Sequence, residues 1–150
     1  METLVRRLVR RLKTRKTIVD KAAFPQDASR MDRLERAVEE WVARKGYWAP
    51  TRTVTEVAGQ LDTDSVLLYH YFQDRLHTDF RTWRTRLRLE DAMRLLLDEP
   101  DTYASDIARR VGFSNRSNFA RQFLAYTGMT PGQWRERART SPDVPAQKRL

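Results

Sequence analysis

The stretch IARRVGFSNRSNFARQF, from Ile107 to Phe123, decides the fold. Its apolar residues have the spacing of two short amphipathic helices that meet at a Val-Gly-Phe hinge. Gly112 allows the left-handed backbone that a tight turn between helices needs, and Asn115 is a favourable N-cap for the second helix. The stretch therefore predicts a helix-turn-helix with Phe119 and Phe123 pointing inward.

The outer face of that second helix carries residue types that suit contact with DNA. Arginine is the usual bidentate reader of guanine, serine can donate or accept a hydrogen bond, and alanine can lie against a thymine methyl group. The competing interpretation is a solvated charged face, which is what an exposed arginine usually forms. We predict DNA-binding residues at Arg116, Ser117, Ala120 and Arg121.

A second copy of this motif lies earlier in the chain. TEVAGQLDTDSVLLYHYF, residues 55–72, has the same order of helix, alanine, turn, cap residue, helix and aromatic residue. Ala58 and Ala108 take equivalent places, because a small residue lets the second helix cross the first closely. Asp64 is the helix cap that corresponds to Asn115. Two copies predict a two-headed architecture.

Further helices are predicted around the two motifs. Residues 80 to about 97 have the spacing of a longer amphipathic helix. Ser29-Arg-Met-Asp32 resembles a capping box, so a helix is predicted to begin at Ser29 after a linker, FPQDAS. Gly128 suits a left-handed C-cap, and Thr130-Pro131-Gly132-Gln133 suits the start of a last helix. With few glycines and prolines, the chain is predicted to be mostly helical.

The charge distribution favours an anionic partner. The net charge is +9 and the pI is near 10.4. Residues 1–30 carry nine Lys or Arg against three acidic residues, and residues 80–137 carry eleven against seven. Residues 31–79 carry six against nine. The positive charge therefore lies on an N-terminal arm and on the second half of the folded part.

Several function classes are excluded or disfavoured by residue content. The chain has no cysteine, so it has no thiol nucleophile and no Cys-ligated zinc. No Ser-His-Asp order or Gly-rich phosphate loop stands out, so we predict no enzyme and no catalytic residue. His70 and His77 lack a third ligand, so neither a metal nor another cofactor is predicted.

The two motifs and the helix between them resemble the DNA-binding domain of the AraC/XylS family of bacterial transcription regulators. Residues 107–135, IARRVGFSNRSNFARQFLAYTGMTPGQWR, carry that family's IA…VGF…S.F.R.F….G.TP..YR pattern almost position for position. Residues 80–97, FRTWRTRLRLEDAMRLLL, are similar to the family's linker helix. The resemblance extends from about Met31 to Arg137.

The resemblance implies an all-α fold with two helix-turn-helix subdomains joined by a linker helix, about seven helices in total, preceded here by the basic arm. It implies two recognition helices in successive major grooves of double-stranded DNA, about 34 Å apart. An exposed surface would then contact RNA polymerase. Carried over residue by residue, the family's contact positions in the first unit fall on Ser65, Val66, Tyr69 and His70.

The first unit departs from the family pattern. Asp62 and His77 stand where glycine is usual, and the outer face of its second helix has neither Arg nor Lys. Four acidic residues surround that face: Asp62, Asp64, Asp74 and Asp79. Acids near phosphates weaken binding. We therefore expect the second unit to anchor the protein and the first to add selective contacts, with Val66 and Tyr69 suited to thymine methyl groups.

These patterns predict a basic arm or linker at 1–28, either disordered or juxtamembrane, and a first helix-turn-helix subdomain at 29–79. They predict the linker helix at 80–98, the second subdomain at 99–139 and a disordered tail at 140–150. We expect a cytoplasmic regulator, tethered to the inner membrane if the chain is the output end of a protein with an upstream sensor or membrane domain. The alternative function is non-specific binding of nucleic acid or a membrane surface by the arm.

Overall fold

The computed structural model describes residues 25–50 and 53–140, and within these it contains seven α-helices and no strand. The helices are α1 (Pro25–Ala43), α2 (Val54–Gln60), α3 (Ser65–His70), α4 (Phe80–Asp98), α5 (Ala104–Arg110), α6 (Arg116–Thr127) and α7 (Pro131–Thr140). A 3-10 turn covers Gly46–Trp48, and a π-helical turn covers Tyr71–Arg75. The predicted all-α fold is confirmed. The basic arm up to residue 24 and the tail from residue 141 lie outside the described residues.

Helix α1 begins earlier than the sequence pattern predicts. It starts at Pro25, so Ser29 lies inside the helix and the predicted start at Ser29 is wrong. Proline is favourable at the first helical position, where the backbone N–H that it lacks would have no partner inside the helix. The segment expected to be a linker is therefore helical from Pro25 onward.

The chain divides into two compact units, and the first holds residues 25–46 and 53–83 of the described part. Its core is formed by buried apolar side chains of α1, α2 and α3, of the π-helical turn and of the first turn of α4. The buried aromatic residues are in contact: the ring of Trp83 lies 6.3 Å from Trp41 and 5.0 Å from Phe72, centroid to centroid. Trp41 and Trp83 are thus core residues, 1% and 4% exposed.

The second unit holds residues 47–50 and 84–140 of the described part. Its core is built from the apolar faces of α4, α5 and α6, and Phe119 and Phe123 are buried in it as predicted. The residues after Gly46 belong to this unit through buried polar contacts. Tyr47 and Trp48 both donate a side-chain hydrogen bond to Asp91, and Arg88 Nε donates to the Tyr47 carbonyl oxygen over 2.6 Å.

Three non-glycine residues of the first unit lie in the left-handed region: Lys45 just after α1, and Asp62 and His77 in the two turns that flank α3. Asp62 and His77 both have φ near +51°. These are the positions where the family pattern has glycine, and the backbone has kept the conformation that glycine would adopt. A left-handed conformation costs an L-residue roughly 1–2 kcal/mol, so both turns are strained.

We expect His77→Gly and Asp62→Gly each to raise the free energy of unfolding by up to about 1 kcal/mol. The gain comes from removing the left-handed strain, and the greater flexibility of glycine in the unfolded chain offsets it by about 0.5–1 kcal/mol. Urea unfolding measures the change. His77→Ala is the matched control, because it shortens the side chain and keeps the strain. A gain for alanine equal to that for glycine would contradict the explanation.

Candidate nucleic-acid interface

The second helix-turn-helix is assembled by local hydrogen bonds around one glycine. The backbone N–H of Phe113 donates to Ala108 O over 2.9 Å, and Gly112 has φ of +99°. Helix α6 then begins with Asn115 as its N-cap, whose Oδ1 accepts from Asn118 N over 2.9 Å. The predicted cap is confirmed. Gly128 ends α6 in the left-handed conformation, as expected.

Helix α6 places all four predicted contact residues of the second unit within two turns. Arg116, Ser117 and Arg121 are exposed, and Ala120 is half-buried. Within the described residues, no hydrogen bond or ion pair involves the Arg116 side chain. Its guanidinium, in the first turn of α6, is therefore available to an external partner.

Arg121 is held by a neighbour that the sequence analysis did not single out. Its Nη2 donates to Asn118 Oδ1 over 3.0 Å, and Gln122 Nε2 donates to the same oxygen over 3.0 Å. Asn118 therefore orients both side chains along the helix surface. The i, i+3 and i, i+4 spacings are visible in the sequence, but the choice of partner depends on side-chain conformation.

The basic residues of helix α5 are occupied by acidic partners. Arg110 forms two hydrogen bonds to Glu99, of 2.9 and 2.6 Å, and Arg109 Nη2 lies 2.8 Å from Asp106 Oδ1. The Arg110 guanidinium, by its hydrogen bonds, lowers the pKa of the Glu99 carboxyl. Both α5 arginines are thus exposed but ion-paired, whereas Arg116 of α6 has no partner among the described residues.

Both helices of the first helix-turn-helix have a side-chain N-cap, whereas in the second motif α6 has one and α5 has none. Thr53 and Glu56 form a reciprocal capping box at α2, and Asp64 Oδ1 accepts from Leu67 N over 2.7 Å at the start of α3. The Asp64 cap is therefore confirmed. That hydrogen bond is the main reason why the pKa of Asp64 lies below its usual value.

Helix α3 places the four predicted contact residues of the first unit together. Val66 and Tyr69 are the most exposed, at 64% and 57%. His70 is also exposed, and Ser65 is half-buried. His70 Nδ1 lies 3.5 Å from Asp74 Oδ2, and the rings of Tyr69 and His70 meet edge to face at 5.6 Å. DNA contact by either set of residues stays a prediction.

Three of the four acidic residues around α3 have partners. Asp64 Oδ2 lies 3.1 Å from Arg30 Nη2. Asp79 caps the first turn of α4, because it accepts hydrogen bonds from the backbone N–H and the hydroxyl of Thr82. Asp74 is the residue close to His70. The acidic surroundings expected from the sequence are therefore partly neutralised or turned to helix capping.

No helix within residues 25–50 and 53–140 is long and apolar enough to cross a membrane. The same residues contain no cluster of three or more potential metal ligands. Each motif thus has a capped second helix, but the exposed faces differ. The exposed face of α6 is cationic and polar, and that of α3 is largely apolar.

Comparison with known proteins supports this interpretation. Residues 57–137, more than half of the chain, match a family described as a helix-turn-helix domain. The chain is 36% identical over 67 residues to the uncharacterized transcriptional regulatory protein YesN of Bacillus subtilis, covering 44% of this chain and 18% of that protein. It is 30% identical over 84 residues to the raffinose operon transcriptional regulatory protein RafR of Pediococcus pentosaceus, covering 56% and 30%. The aligned part is thus less than a third of either relative.

Solved structures give the same picture. The C-terminal domain of AraT, a response regulator from Geobacillus stearothermophilus, has a TM-score of 0.62 at 28% identity, covering 70% of this chain and 84% of that one. A probable AraC family transcriptional regulator from Rhodopseudomonas palustris has a TM-score of 0.57 at 28% identity, covering 69% and 94%. The C-terminal domain of the response regulator yesN from Fusobacterium nucleatum has a TM-score of 0.58 at 26% identity, covering 67% and 96%.

Proposed function

The chain belongs to the AraC type of helix-turn-helix DNA-binding transcription regulators, and from this premise we propose how it reads DNA. Helices α6 and α3 enter successive major grooves of one duplex, and α6 provides the anchoring contacts. The observation that carries the proposal is the exposed face of α6, where Arg116 has no partner among the described residues and Arg121 is held in place by Asn118.

The anchoring role follows from the chemistry of the two faces. A guanidinium can donate two hydrogen bonds to guanine, and a good bidentate pair contributes about 1–3 kcal/mol of discrimination. Helix α6 offers two such groups, whereas α3 offers none. Arg116 and Arg121 are therefore assigned to base contacts, and Ser117 and Ala120 lie between them on the same face.

Further partners belong to the same proposal. A regulator that fixes two helices on a promoter keeps its remaining surface free, and RNA polymerase is the partner that such a surface would contact. We also infer that the chain acts as the output part of a longer regulator with an upstream sensor. Support comes from the relatives, of which it spans 18% and 30%. We infer that the protein acts in the bacterial cytoplasm, where its DNA partner lies.

Selection from a random duplex library, with the 150-residue chain at near-physiological salt, tests the proposal. We expect a long asymmetric site with two conserved blocks about one helical turn apart, of which the block read by α6 is guanine-containing. A single short block would mean that only one unit reads sequence. Binding without any enrichment would overturn the proposal and favour non-specific binding through the basic arm.

A further inference from the structure

We propose that α3 reads thymine through its 5-methyl group and that Val66 and Tyr69 make the contact. This inference rests on the proposed function, in which α3 lies in a major groove. It assigns a base preference to the first unit, and it names apolar contact rather than hydrogen bonding as the source of that preference.

The side chains of Val66 and Tyr69 are apolar, yet they are exposed and take no part in the core. Val66 and Tyr69 are 64% and 57% exposed, whereas Leu68 on the same short helix is fully buried and faces the core. Residues three apart are neighbours on a helix surface, so Val66 and Tyr69 form one apolar patch. Such a patch gains free energy when a partner covers it.

The positions of the patch correspond to base-reading positions in the second unit. Leu68 and Phe119 are equivalent buried residues of the two motifs, and counting from them places Val66 opposite Ser117 and Tyr69 opposite Ala120. Both equivalents lie on the face of α6 assigned to DNA. This correspondence favours DNA over a protein as the partner that covers Val66 and Tyr69.

Thymine is the base whose major-groove edge matches an apolar side chain. Guanine, cytosine and adenine present only hydrogen-bonding groups there, and thymine adds its C5-methyl group. Helix α3 has no Arg, Lys, Asn or Gln to read the other bases in the usual way. The His70 side chain beside the patch lies against Tyr69 and Asp74. Methyl contact is thus the specific chemistry that this face offers.

Local charge does not prevent the approach. Asp64 would bring a carboxylate to the end of α3 nearest the DNA, but Arg30 lies 3.1 Å from it. Asp79 is turned to capping α4. The apolar patch therefore has surroundings that a phosphate backbone can tolerate, without the strong positive charge that would make binding here insensitive to sequence.

Deoxyuridine substitution tests the inference, because uracil differs from thymine only by the missing methyl group. Each thymine of the selected site is replaced singly, and the 150-residue chain is titrated by fluorescence anisotropy. In the block read by α3, we expect about a fourfold rise in Kd for each contacted methyl group that is removed. This is the loss of affinity expected for one buried methyl group. Val66→Ser or Tyr69→Ser should bind more weakly and lose the difference between thymine and uracil at one position each.

Controls separate this inference from the proposed function. Tyr69→Phe keeps the ring and should keep the discrimination. In the block read by α6, replacing thymine by uracil should change the Kd of the wild type and of the α3 variants equally. If uracil is tolerated throughout the block read by α3, or no such block is selected, while Arg116→Ala still weakens binding and relaxes the preference at one base, the thymine inference is wrong and DNA reading by α6 stands. If neither the α3 variants nor Arg116→Ala changes selectivity, both the thymine inference and the proposed function are wrong. Normal discrimination by the serine variants with loss of transcription in a purified system would identify the patch as a protein contact and overturn the inference.

Discussion

Gly112→Ala is expected to lower the free energy of unfolding of the second unit by about 3 kcal/mol or more. The backbone at Gly112 has φ of +99°, which strains any L-residue by roughly 1–3 kcal/mol. A Cβ there would also lie 2.5 Å from the Trp48 carbonyl oxygen and 2.7 Å from the Arg88 guanidinium. Arg88 cannot move away freely, because its Nε and Nη2 donate to the carbonyl oxygens of Tyr47 and Ala49. Overpacking of this kind adds about 1–3 kcal/mol.

Gly128→Ala provides a control for this variant. Gly128 also has a positive φ, of +76°, but a Cβ added there meets nothing within 4 Å. It should therefore lose only the conformational part, about 1 kcal/mol. Urea unfolding followed by circular dichroism measures both changes. Equal losses for the two variants would show that the contacts with Trp48 and Arg88 are not the cause of the larger effect.

Local signals explain why so much of the two motifs could be predicted from the sequence. The caps at Asp64 and Asn115 and the left-handed turn at Gly128 involve residues at most a few positions apart. The reciprocal hydrogen bonds between Thr130 and Gln133, of 2.9 and 3.2 Å, are of the same kind. In each case the residue types at a fixed spacing specify the hydrogen bond, because no distant part of the chain takes part.

Contacts between distant residues explain what the sequence did not reveal. Tyr47 and Trp48 bind Asp91, more than forty positions away, and no local pattern indicates that the segment after Gly46 belongs to the second unit. Arg135 Nε likewise donates to Leu96 O at the end of α4, over 3.0 Å. Contacts of this type form only once the folded unit brings distant residues together. The pairing of Arg30 with Asp64 in the first unit could therefore not be predicted either.

Arg116→Ala and Arg121→Ala should each weaken binding to the selected DNA site by about 1–3 kcal/mol, roughly 5- to 150-fold in Kd. The reason is the loss of a bidentate contact to a base, so the preference at one base position should relax in each variant. Arg121→Ala has a second consequence, since it frees Asn118 Oδ1 from one of its two donors. Titrations against the selected site and against each single-base variant measure both effects.

Arg109→Ala is the matched control for this last prediction, because Arg109 is equally basic and its side chain is 77% exposed, but it is paired with Asp106 on α5. Its effect on affinity should be small and the same for every sequence. Exposed ion pairs contribute less than about 1 kcal/mol to stability, so folding should be retained as well. If Arg116→Ala weakens binding equally on all sequences, and the salt dependence of the affinity falls by the amount expected for one phosphate contact, Arg116 binds the DNA backbone instead of a base. If all three variants bind like the wild type, α6 does not anchor the protein, and the basic N-terminal arm becomes the element that holds the DNA.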